Sequence, residues 1–284
     1  MPNILNQEQI QFYNEHGYLH ARGIIPADLL AVIQTVLARW VDQTIAGWID
    51  KGLLTDPLTE LDFHHRLVRA WHEAERPTYI RSPRRDLVSP EMYNILVHPT
   101  LLSLASDLLA TPDISVHGVF NARPKLPDQL WTRTPWHQDA QYYQGGKDAH
   151  IVSMWIPLQP VTEANSCLQV APGQHHGPLH ERYHDKETGF IGVAPEVSEE
   201  LEGVTIEMAP GDVLCFPQRT PHRATANRSD AVRWSMDVRY EPTALATPKG
   251  KPQGFIARSQ TEPNVPISYA SWLEQWADIP LGSY

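Results

Sequence analysis

The chain has 284 residues, 42% of them hydrophobic, with a formal net charge of −10 and a pI near 5.7. That is enough apolar material for a substantial core, and an acidic balance with scattered basic residues argues against nucleic acid or an anionic membrane as a partner. The N-terminus carries no basic segment followed by an apolar one, and no stretch approaches the roughly 20 apolar residues of a membrane span, so the expectation is a cytoplasmic protein working on a small molecule.

The first third reads as helical. "QEQIQFYNEHG" starts a short helix, and the stretch from Pro26 to Gly52 sets Leu29, Leu30, Ile33, Val36, Leu37 and Trp40 at three- and four-residue spacings. A second helical block, "SPEMYNILVHPTLLSLASDLLA", should break at Pro99. Between the blocks, "RPTYIRSPRRDL" is polar and proline-broken, a loop carrying Arg76, Arg81, Arg84 and Arg85.

From about residue 113 the chain turns to short β-branched and aromatic runs bounded by Pro, Gly, Asn and Asp. "ISVHGVFNAR", "HIVSMWIPLQ", "SCLQVAP", "VTIEMA", "DVLCFP", "HRATAN" and "VRWSMDVRYEP" read as strands of an antiparallel sandwich or barrel. Gly173 to Gly203 looks like a long excursion, a kind of segment that is more often functional than accidental. "SYASWLEQWADI" fits one short helix against the body. Cys167 and Cys215 each sit inside an apolar run and read as buried thiols.

Of the 14 histidines, His137 alone has a carboxylate two residues on, Asp139 in "TPWHQDAQYY". On an extended strand, side chains two apart share a face, so the pair offers one nitrogen and one oxygen to a single ion. His222, 83 residues beyond Asp139, follows a strand-like run and a proline turn. Two histidines and one carboxylate compose the facial triad of non-haem Fe(II) oxygenases, which leaves coordination positions open. A surface His-Asp pair with an unrelated strand-end histidine is the bland alternative.

Four ordered segments resemble the phytanoyl-CoA dioxygenase-like family of Fe(II)/2-oxoglutarate-dependent oxygenases: "HGYLHARGIIP", "TPWHQDAQYY", "MWIPLQPVTEANSCLQVAPGQHHG" and "APGDVLCFPQRTPHRATANRSDAVRWSMDVRY". The resemblance implies a mainly β fold with helices, a double-stranded β-helix of the jelly-roll or cupin-like type braced by N-terminal helices. It implies one domain over 1–284, with helical support and a pocket loop over 1–112, a β core over 113–242 and a C-terminal extension over 243–284. It also implies Fe(II) on His137, Asp139 and His222, with 2-oxoglutarate and dioxygen as co-substrates. Arg233, eleven residues after His222, would clamp the far carboxylate beside Trp155, and Arg81 is the nearest candidate for an additional basic contact. Ala224 and "EANSCL" depart from the family's usual serine or threonine and small glycine-containing turn.

The expected reaction is oxidation of a C–H bond, hydroxylation by default, with desaturation, ring formation or dealkylation open. The carboxylate at Asp139 argues against a halogenase. Arg84, with Tyr142 and Tyr143 pointing oppositely by strand alternation, are the candidate substrate contacts, and a small polar or carboxylated metabolite is the expected substrate. A cupin-like non-oxygenase metalloenzyme and a catalytically silent binding protein remain the alternatives from other classes.

Overall fold

The computed structural model describes residues 3–77, 80, 83–127, 129, 133–142, 150–246, 254–264 and 266–282. The first helix, α1 (Gln7–His16), opens on a reciprocal cap between Asn6 and Gln9 and closes at Gly17, φ 70°. The short β1 (Leu19–Ala21) leads to α2 (Ala27–Asp50), which buries Leu29, Ile33, Val36, Leu37, Val41, Ile45 and Trp48 along one stripe. Asp62 caps α3 (Phe63–Glu73) by accepting from the His64 and His65 amides. The second helical block breaks at Pro99 as its sequence requires, into α4 (Pro90–Leu96) and α5 (Pro99–Leu109).

The β region contains β2 (Ile114–Val116), β3 (Asn121–Lys125), β4 (Thr134–His137), β5 (Val152–Pro157) and β6 (Leu168–Val170). The excursion adds a hairpin of β7 (Tyr183–His184) and β8 (Ile191–Gly192), followed by α6 (Pro195–Glu200). Then come β9 (Val204–Ile206), β10 (Val213–Pro217), β11 (His222–Ala224), β12 (Arg233–Pro242) and β13 (Phe255–Arg258). The last helix, α7 (Tyr269–Glu274), is capped by Ser268 and buries Trp272. "ISVHGVFNAR" is therefore two strands, not one. The split has a pairing cause: β2 pairs with the Tyr240–Pro242 end of β12 and β3 with its Arg233–Asp237 end.

Every strand pair is antiparallel. Among the described residues one sheet runs β1-β10-β5-β12-β2-β13, with β3 also on β12, and the facing sheet runs β4-β11-β6-β9. Together they make the double-stranded β-helix. The larger sheet turns Val152, Met154, Ile156, Val213, Cys215, Trp234, Met236, Val238 and Tyr240 outward into a core shared with α2, α3, α4 and α5. Between the sheets a second cluster holds Trp155, Leu168, Val170, Leu214, Phe216 and Ala224. Both cysteines are buried and free, as expected.

β12 is the strand on which the site depends. Its ten residues alternate in period 2. Trp234, Met236, Val238 and Tyr240 enter the helix-side core, so Arg233, Ser235, Asp237, Arg239 and Glu241 face the interior of the barrel. Opposite them β3 presents Asn121, Arg123 and Lys125, and β5 presents Ser153 and Trp155.

Candidate functional site

β11 lies between β4 and β6, which places His222 directly opposite His137, with the two rings 4.1 Å apart. Asp139 arrives by a different route from the one its spacing predicts. The strand ends at His137, and Asp139 opens a 3-10 turn over Asp139–Gln141, locked by reciprocal bonds between Gln138 and Gln141. The turn brings its carboxylate back, so that Oδ1 is 4.0 Å from Nε2 of both histidines.

His137 Nδ1 donates to Pro135 O at 2.9 Å and His222 Nδ1 to Thr220 O at 3.0 Å, which fixes both tautomers and leaves each Nε2 facing the carboxylate. Burial, reinforced by His222, pushes the His137 pKa down to about 3; burial also lowers that of His222. Burial alone would raise Asp139, but Arg239, the two histidines and the Ser153 hydroxyl outweigh it and hold the carboxyl far below the ordinary range. At neutral pH the corner is two neutral imidazoles and one carboxylate, the donor set that suits Fe(II). Among the described residues these three form the one group of such side chains close enough to share a metal ion.

Asp139 Oδ2 is occupied: it accepts from Ser153 Oγ at 2.5 Å and from Arg239 Nε at 3.1 Å. Arg239 also donates to Asp237 at 2.5 Å, and Asp237 accepts from Arg123 at 2.9 Å and from Asn121 at 2.8 Å. The result is a buried ladder of alternating charge beneath the ligand corner. Pairing of this kind is what makes buried charges tolerable.

Arg233 is 2% exposed, and its guanidinium lies 5.2 Å from the Trp155 ring. Nη1 donates to Ser235 at 2.5 Å, while Nε is buried with no hydrogen-bond partner. Desolvation, with Arg123 nearby, pushes this arginine down to about 9. A buried guanidinium with an unsatisfied donor fits an acidic co-substrate.

The expected substrate contacts fare differently. Tyr142 packs edge-on against His137 at 5.8 Å, and its hydroxyl exchanges hydrogen bonds with the Ile191 backbone of the excursion. It stands at the end of the 3-10 turn, not on a strand, so the alternation argument for the two tyrosines does not apply. Arg81 and Tyr143 lie outside the described residues. Arg84 donates to Phe120 O and to Asn121 Oδ1, and Arg85 to Ile279 O. These bonds run to the protein itself, so Arg84 supports Asn121 beneath the ladder. The sequence reading did not single out Asn121, Arg123, Lys125, Ser153, Asp237 or Arg239. Polar residues at every second position of "RWSMDVRYEP" were the available signal.

The excursion does bear on the site. Gln138 donates to Pro178 O and Arg219 O, and Gln141 to the carbonyls of His180, Glu181 and Gly192, which ties the loop over the ligand corner. His175 and His176 point elsewhere, each bonded to Asn14 O.

The family model for phytanoyl-CoA dioxygenase (PhyH) matches residues 13–235. A probable phytanoyl-CoA dioxygenase of Caenorhabditis elegans is 25% identical over 247 residues, covering 84% of this chain and 76% of its own length. A 1-deoxypentalenic acid 11-beta-hydroxylase of Streptomyces arenae is 28% identical over 248 residues, 82% of this chain and 80% of its own. Among solved structures, the non-heme alpha-ketoglutarate-dependent carbocyclase SnoK from nogalamycin biosynthesis superposes with a TM-score of 0.58 at 18% identity, over 93% of this chain and 94% of that one. EvdO2 from Micromonospora carbonacea var. aurantiaca, solved with 2-oxoglutarate, superposes with 0.57 at 18% identity, over 86% and 93%. Structural likeness at such identity carries the fold, and the family match together with the His-Asp-His corner carries the chemistry. The chain belongs to the phytanoyl-CoA dioxygenase family and is a non-haem Fe(II)/2-oxoglutarate-dependent oxygenase.

Proposed function

We propose that His137, Asp139 and His222 hold the iron, that Arg233 stacked on Trp155 receives the far carboxylate of 2-oxoglutarate, and that the chain, as a single domain, oxidises a C–H bond of a small polar metabolite. The carrying observation is the convergence of two neutral Nε2 atoms and one Oδ1 beside a buried, incompletely satisfied arginine. Bound iron, 2-oxoglutarate and dioxygen together supply the oxidising chemistry, in which decarboxylation to succinate and carbon dioxide is coupled to insertion of an oxygen atom into substrate.

The protein's own part is to bind, orient and keep dry. The Pro135 and Thr220 carbonyls hold the imidazoles in the metal-facing tautomer. Arg239 and Ser153 take one carboxylate oxygen and leave the other to the metal. Gln138 and Gln141 hold the excursion across the site, which limits water. Arg123, 36% exposed at its side chain and bound to Asp237, supports an acidic or strongly polar group on the substrate, a role first expected of Arg84. The substrate-binding class favours a small molecule over a macromolecule. Among the described residues no helix is long and apolar enough to cross a membrane.

The test is an anaerobic titration of metal-free protein with Fe(II) and then 2-oxoglutarate, following the weak visible charge-transfer band of a chelated 2-oxo acid. The band should be absent in His222→Ala and need far more 2-oxoglutarate in Arg233→Ala. A folded, iron-loaded wild type without the band would sink the proposal.

A further inference from the structure

Arg233 has an unexpected neighbour. In the antiparallel pairing of β12 with β3, its direct partner is Lys125, and residues directly opposite share a face of the sheet. Lys125 is 2% exposed, and its Nζ is buried without a hydrogen-bond partner. Buried lysines normally have an acidic partner, because an isolated ammonium in a dry interior is very costly. Here the charged groups acting on the amine are Arg233, Arg123 and Arg133, all cationic, together with the Cys167 thiol, which burial pushes up to about 11 and so keeps neutral. Two basic side chains, each with an unsatisfied buried donor, thus face each other, and among the described residues no carboxylate is bonded to either. An anion is the chemically fitting occupant.

We propose that Lys125 is a co-substrate-binding residue, forming with Arg233 a two-cation receptor for the far carboxylate of 2-oxoglutarate and making the site selective for dicarboxylic over monocarboxylic 2-oxo acids. The proposal rests on the reading that Arg233 binds this carboxylate. The arginine offers a planar fork that fixes the direction of approach, whereas the amine is a point charge that completes neutralisation. Burial and the flanking arginines lower the proton affinity of the free amine well below that of an ordinary lysine. Entry of the dianion offsets that penalty, because an opposite charge beside the amine favours its charged form.

The experiment compares wild type, Lys125→Met and Lys125→Gln, each loaded with Fe(II) anaerobically and checked for folding by thermal melt. Each is titrated with 2-oxoglutarate and with 2-oxopentanoate, which has the chelating end but no second carboxylate. Both variants should lose about 10- to 100-fold in affinity for 2-oxoglutarate, the usual worth of one charge-assisted contact, and keep wild-type affinity for 2-oxopentanoate. Unchanged affinity for 2-oxoglutarate would overturn the proposal, as would an equal loss for both acids, the mark of a merely structural lysine. A wild type that binds neither acid would instead defeat the reading of Arg233 and the metal corner, and the assignment of Lys125 would fall with it.

Discussion

Arg239 and Asp139, 100 residues apart in the chain, are joined at 3.1 Å through the carboxylate oxygen that faces away from the histidines. A metal-ligating carboxylate left to itself can rotate or chelate through both oxygens; this one has a single oxygen to offer. Arg239→Met should therefore weaken Fe(II) binding by about 10- to 100-fold, as loss of an outer partner generally does. It should also cost about 3–5 kcal/mol of stability, because Asp139 and Asp237 each lose a buried cation. Metal titration and chemical denaturation of the variant test this, and wild-type metal affinity would refute the orienting role.

Trp155 supplies the aromatic face beneath Arg233. Trp155→Leu keeps an apolar side chain in the interior cluster but removes the π surface. About 0.5–2 kcal/mol of cation–π stabilisation is at stake, so the dissociation constant for 2-oxoglutarate should rise roughly 2- to 30-fold with iron affinity unchanged. A parallel loss of iron affinity would mean that the ring shapes the whole barrel.

Acid should destabilise the metal-free protein early. The folded His137 pKa of about 3 lies below the unfolded value of about 6.5, so within that window the unfolded chain binds more protons. Stability then rises with pH through this range and is lost on acidification from about pH 6.5 downward. The depressed Asp139 and Asp237 add further loss below about pH 4, in the carboxylate range. Denaturation curves between pH 8 and pH 5 should show a decline that is shallower in His137→Gln. A flat profile in wild type would contradict the burial argument.

Gln141 donates to three carbonyls of the excursion, at His180, Glu181 and Gly192. Gln141→Leu leaves those acceptors without their shared donor and should release the loop. Faster proteolytic cleavage within 178–192 and a raised KM for substrate, with iron binding close to wild type, are the expected signs. Wild-type cleavage kinetics would show that the loop is held by other contacts.

The helical periodicity of α2, the break at Pro99 and the alternation of the strands were plain in the sequence, because each depends on neighbours a few residues away. The His137-x-Asp139 spacing led to side chains that the fold does bring together, yet through the wrong geometry, since the strand stops at His137 and a 3-10 turn delivers the carboxylate. Asp237 and Arg239 were hidden for another reason. Their partners, Arg123 and Asp139, lie 114 and 100 residues away, and no local pattern announces such a pairing. Arg84 shows the same limit: its bonds to Phe120 O and Asn121 Oδ1 join residues 36 and 37 positions apart, which no local pattern in a basic loop reveals.

β12 packs apolar side chains against the helices and ionic ones toward the metal corner, with every residue from Arg233 to Glu241 buried. A slip of one residue would drive four charged groups into the helix-side core and turn Trp234 and Tyr240 into the barrel. The groups that serve chemistry therefore also proofread assembly: the strand closes the barrel in a single alignment, and a chain that has folded has, by the same act, armed its active site.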